Sequence, residues 1–170
     1  VLSRAYQRDS VWSAEGERPE VGDFAVAVLR PLAPRQLAVS LVSTTGAPEQ
    51  SMDEKRRLEL ERQAEQFVDW LDPAGDKYQS TTREALYLSN NPAALKLFEA
   101  SGDNLVARLA KIEDDATLVE TAYWSLLGRA PDQEERTTLQ AFINQHASRE
   151  RAASQLAWAL ATSAEFRFNH

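Results

Sequence analysis

The chain has 170 residues, 43% of them hydrophobic, and a formal net charge of −7. The composition excludes a disordered chain, and the mixing of acidic and basic residues excludes the concentrated basic face that nucleic acid would need. The absence of cysteine excludes disulfides, thiolate catalysis and cysteine–zinc sites. No apolar run approaches the roughly 18 residues that span a bilayer, so direct membrane insertion is not expected.

A chain of this length is expected to form one domain, burying roughly 70% of its unfolded surface. It opens on Val1-Leu2-Ser3-Arg4, with neither an initiator methionine nor a signal peptide, and is read as a piece of a longer protein. Residues 1 to about 22 read as a polar lead-in, punctuated by Gly16, Pro19 and Gly22 and anchored by Tyr6 and Trp12. In Phe24 to Leu32, Phe24, Val26 and Val28 alternate with Ala25 and Ala27. One such strand without a partner predicts loop or edge structure.

Pro34 opens a helix to about Thr45, with Leu37, Leu41 and Val42 on one face and Gly46 as its stop. Ser51 with Glu54 fits a capping box and starts a helix to about Leu71, with the stripe Leu60, Ala64, Phe67, Val68 and Leu71. The charge run Asp53 to Arg57 reads as a solvated helix end rather than a docking patch. After the turn Asp72 to Asp76, Thr81 with Glu84 caps a helix whose apolar residues are Ala85, Leu86 and Leu88, with Tyr87 at the side. Asn91 caps a short helix begun by Pro92, and Asp103 or Asn104 caps Leu105 to Ile112.

Glu113-Asp114-Asp115 reads as an acidic loop. Thr117 with Glu120 then predicts a helix from residue 117, with Leu118, Val119, Ala122, Tyr123, Leu126 and Leu127 inward. Gly128 ends it, Pro131 marks the corner, and Asp132 with Glu135 caps the next helix, striped by Leu139, Phe142 and Ile143. Ser148 caps a last helix with Ala152, Ala153, Leu156 and Leu160 inward, and Phe166 and Phe168 fold over its end. Short connections between amphipathic helices predict antiparallel neighbours.

Reactive side chains are sparse along the same path. His146 sits beside an apolar stripe, and neither it nor His170 has a second histidine at ligand spacing. The acidic loop 113–115 lacks the alternating pattern and central glycine of a calcium loop. Ser101 and Ser163 have no nearby histidine, and the glycines are isolated, so neither a triad nor a phosphate loop is legible. No catalytic, cofactor-binding or metal-binding residue is assigned. Trp124 and Trp158 lie off the centre of their stripes. They mark either a partner-binding surface or packing beneath a neighbouring segment.

Several segments together resemble one family. They are Ser3 to Gln7, Arg30 to Leu37 with Ser40-Leu41 and Thr45-Gly46, and Tyr78 to Thr81 with Glu84-Ala85-Leu86 and Asn90. The rest are Leu127 to Pro131 with Glu134-Glu135, Leu156 to Leu160, Ser163, and the ending Glu165 to His170. This order resembles the C-terminal domain of unknown function of large planctomycete proteins of the PSD type, which often also carry a cytochrome-c-like segment. The resemblance implies the C-terminal piece of a longer, extracytoplasmic protein, and no established reaction. It also implies glutamine where this chain has Glu84.

The expectation is an all-α single domain of about seven helices. Its helices form an antiparallel bundle over residues 34–170, with an irregular lead-in, 1–33, packing on it. The expected function is a non-catalytic scaffold or protein-interaction module of a larger periplasmic or otherwise extracytoplasmic protein. Its partners would be other domains of the same parent. The alternatives are a carbohydrate-processing or other hydrolytic domain using clustered carboxylates, and a docking domain for the cytochrome-c-like segment.

Overall fold

Pro34 fixes the first helical φ where no amide donor is needed, and the helix it opens runs Pro34–Thr45 (α1) to a stop at Gly46. Leu37, Ala38, Leu41 and Val42 recur at three and four and are all buried. In the computed structural model, which describes residue 17 and residues 30–48, 53–71 and 82–169, α1 lies against α2 (Glu54–Val68). Asp53, not Ser51, caps α2: its side chain accepts from the Arg56 amide at 2.8 Å. Ser51, the 72–81 turn, the lead-in up to residue 29 and His170 fall outside the described residues.

Six more helices follow: α3 (Thr82–Asn90), α4 (Pro92–Lys96), α5 (Leu105–Ala110), α6 (Asp115–Leu126), α7 (Gln133–Asn144) and α8 (Arg149–Ala161). The fold is all-α, with eight helices among the described residues. Helix α8 is its axis, packing on α5, α6 and α7, while α1 joins the α1–α2 pair to α5 and α6. Ala152, Ala153 and Ala157 are fully buried on α8, and their small side chains let neighbouring backbones come close. Leu105, Leu109, Leu118 and Leu156 are completely covered in the same core. Each contributes about 2–3 kcal/mol of hydrophobic stabilisation relative to exposure.

Three expectations about starts and faces need correction. Helix α6 begins at Asp115, capped by Asp114, which accepts from both the amide and the hydroxyl of Thr117 at 2.7 Å. Thr117 is thus the third residue of the helix rather than its cap. On α3 the inward residues are Glu84, Tyr87 and Leu88, while Leu86 is 57% exposed. Tyr87 faces Phe67 edge-on at 6.4 Å and stacks on Trp70 at 4.8 Å, so α3 docks on the end of α2 through its tyrosine.

The third correction concerns the edge strand. Arg30–Pro31 (β1) does have a partner: it pairs antiparallel with Phe168–Asn169 (β2), beyond a 3-10 turn at Glu165–Arg167. The Leu32 amide adds a 2.8 Å bond to the Arg167 carbonyl. Phe166 is buried, as the sequence suggested.

Candidate binding groove along helix α8

Three arginines brace the molecule, and their surroundings define what surface is left. Arg129 follows Gly128, whose φ of +69° turns the chain out of α6. Its guanidinium holds Glu135 on α7 through two bonds of 2.7 and 2.8 Å, and Glu165 through two of 2.5 and 2.7 Å. It also lies 5.2 Å from the centre of the Tyr123 ring. Arg129 bonding holds the Glu135 carboxyl down at about 2, and burial with the neighbouring Glu135 pushes Tyr123 up to about 12. Asp132 and Glu135 complete the expected capping box of α7.

Arg149, first residue of α8, ties down the acidic loop. It donates to the Ile112 carbonyl at 2.8 Å, to the Glu113 carbonyl and to the Asp115 carboxylate. That loop is therefore a helix cap and an arginine seat. The third brace is dry. Arg167, 6% exposed, forms an ion pair with Glu84, which is fully buried on α3. Glu84 read as half of a capping box in the sequence. Its proposed partner in that box, Thr81, lies outside the described residues; within them Glu84 is the charge to which the C-terminal segment is fastened, and nothing local could have named Arg167.

Beside this pair a groove runs along α8 on the side of α3 and α4. One cavity of it, about 450 Å³, is lined by Ser89, Leu95, Phe98, Glu99, Ser154, Gln155 and Trp158. A second cavity of about 260 Å³ shares Ser89 and Trp158 with it and is lined also by Glu84, Leu88, Thr162 and Arg167. A third, about 250 Å³, shares Glu99 and Ser154 and adds Glu150 and Arg151. The Trp158 indole thus sits where the first two cavities meet. Its Nε1–H donates to the Leu88 carbonyl at 3.2 Å, which fixes the ring against α3.

The two tryptophans singled out in the sequence have different fates. Trp158 packs against the core and lines the groove, while Trp124 on α6 is 56% exposed and takes no part in that lining. His146 is a boundary residue: its Nδ1 lies 2.9 Å from the Phe142 carbonyl and its Nε2 2.9 Å from the Gln155 amide oxygen. Among the described residues no three histidine, aspartate or glutamate side chains converge as a metal site. Nor is any helix among them long and apolar enough to cross a membrane.

The sequence pointed to Trp158 by its off-stripe position, but gave no sign of the groove. Its walls come from Ser89, Phe98, Glu99 and Ser154, which tertiary packing alone assembles. Comparison with family models, with curated proteins and with solved structures finds nothing that matches this chain.

Proposed function

We propose that this chain is a non-catalytic helical scaffold and interaction module of a larger extracytoplasmic protein, with the α8 groove as a ligand-binding site distinct from its contacts with other domains. The observation that carries the reading is where the strongest charges go. Arg129, Arg149 and Arg167 are each engaged in fastening one segment to another, and His146 ties the end of α7 to Gln155 of α8. The groove, by contrast, offers an oriented indole, apolar residues and small polar groups, the mixture that suits binding. Its partners would be other domains of the parent protein, in keeping with the sequence resemblance.

The test is twofold. A broad screen of glycoside, polysaccharide and ester substrates should give no turnover. Neighbouring segments of the parent, added separately, should bind in calorimetry at low salt. Turnover would overturn the reading.

One observation favours the hydrolytic alternative. Glu99 and Glu150 line the same 250 Å³ cavity, and carboxylate pairs across a cavity are what sugar hydrolysis uses. Turnover abolished by Glu99→Gln and by Glu150→Gln would establish that reading. The net charge of −7 favours a basic partner, which is what the docking of a cytochrome-c-like segment would exploit. The same calorimetry addresses it.

A further inference from the structure

The geometry points to a ligand class for this groove: a neutral oligosaccharide, one of whose rings lies against the Trp158 indole while its hydroxyls meet the polar groups on either side. The inference rests on the groove being a binding surface and goes beyond it by naming what is bound.

Three features of the lining argue for it. The first is the indole. A pyranose ring has a polar rim of hydroxyls and a face of C–H bonds, and that face is complementary to an aromatic surface. To serve as a platform the aromatic ring must be held still, and the Nε1–H bond to the Leu88 carbonyl does so. Trp158 lines both larger cavities, so a ring resting there has neighbours in either direction.

The second is the inventory of polar groups. Several serine and threonine hydroxyls of the molecule cap helices or bond back to the preceding turn, as Ser148, Thr45 and Thr162 do. Ser154 and the Glu99 carboxylate line the 450 Å³ cavity with no side-chain partner among the described residues. They stand beside apolar Leu95 and Phe98. Alternating apolar and unengaged polar surface suits a ligand that is itself amphipathic over a few ångströms.

The third is charge at the end of the groove. Glu84 and Arg167 form the floor of the 260 Å³ cavity, one negative and one positive, both almost fully buried. The two charges are already paired with each other, so the cavity offers neither an anionic nor a cationic ligand a net charge to repay its desolvation. A hydroxyl both donates and accepts, so it can approach such a pair without changing the balance of charge. Uronic acids and phosphorylated sugars would lose hydration without gaining a net opposite charge, since Glu99 and Glu150 outnumber Arg151 at the other end of the groove.

The experiment is an NMR titration of the full chain with neutral oligosaccharides of different linkage, following the four tryptophan indole resonances. The Trp158 signal, assigned by its loss in Trp158→Phe, should move with a Kd of about 0.1–1 mM for at least one linkage class. The Trp124 signal should stay in place. Ser154→Leu, which fills the groove from a half-buried position on α8, should weaken binding about tenfold with an unchanged thermal midpoint. Trp124→Ala should bind as the parent does.

The inference falls if no neutral oligosaccharide moves the Trp158 resonance. It falls equally if Ser154→Leu binds unchanged, if acidic sugars bind as well as neutral ones, or if peptides alone bind. These outcomes are separate from turnover in the substrate screen, which would sink the non-catalytic reading while leaving sugar binding intact.

Discussion

Arg129 and Arg167 both fasten the C-terminal segment to the helical body, one in contact with water and the other out of it. Arg129 is 39% exposed and reaches Glu135 and Glu165 through paired, planar bonds. Arg167 is 6% exposed and meets the carboxylate of Glu84, which is itself fully buried. A wet brace is screened, and its removal leaves carboxylates that water can solvate. A dry brace adds little net stability against an apolar pair of the same shape. Breaking one half of it, however, strands a charge in the interior. The two arginines therefore do different work: Arg129 sharpens a corner that its helices already define, whereas Arg167 makes the position of α3 conditional on the C-terminal segment.

The largest effect should come from breaking the dry brace on one side. Glu84→Leu or Arg167→Met alone should cost about 3–5 kcal/mol in urea unfolding followed by circular dichroism, and the double substitution should regain most of it. A single-variant cost below about 1 kcal/mol would mean that water reaches the pair, and the contrast with Arg129 would vanish.

The wet brace should fail more gently. Arg129→Ala should cost about 1–2 kcal/mol, allowing for its exposure. It should also show in acid. The folded Glu135 carboxyl titrates at about 2, below its ordinary 4.5, so its contribution is complete above 4.5 and disappears as the pH falls through 2. Between those limits the parent should lose on the order of 1–2 kcal/mol more than Glu135→Gln does. Equal acid sensitivity of the two proteins would show that the bonds to Arg129 carry no weight.

Next comes the cap of α6. Asp114→Ala should cost about 1 kcal/mol, whereas Glu120→Ala, which would remove half of a cap at Thr117, should change stability by less than about 0.5 kcal/mol. The smallest effect belongs to Trp124→Ala, expected within about 0.5 kcal/mol of the parent because the indole is mostly exposed.

Which of these features could be read in advance follows from how far apart their causes lie. Helix α1 was legible to the residue, since Pro34, the Leu37–Leu41–Val42 stripe and Gly46 all act within a few positions. So was the corner from Gly128 to the Asp132–Glu135 capping box. The start of α6 was misplaced because two capping patterns overlap there, Asp114 with Thr117 and Thr117 with Glu120, and the hydroxyl of Thr117 itself donates to Asp114. The burial of Glu84 was hidden differently. A glutamate near a helix start is most simply an exposed cap, and only the return of Arg167 from the far end makes it a core residue. The partner of Arg30–Pro31 and the walls of the groove were hidden for the same reason.

The short ladder between Arg30–Pro31 and Phe168–Asn169 has a mechanical consequence. Its strands run in opposite directions, so Arg30 and Asn169 stand opposite each other at the same end of the ladder. Tension between those two points peels the rungs singly, like a zipper, and then loads the Leu32–Arg167 bond before any helix is stretched. The body would thus give way at its clasp, at low force, while its greasy interior stays whole.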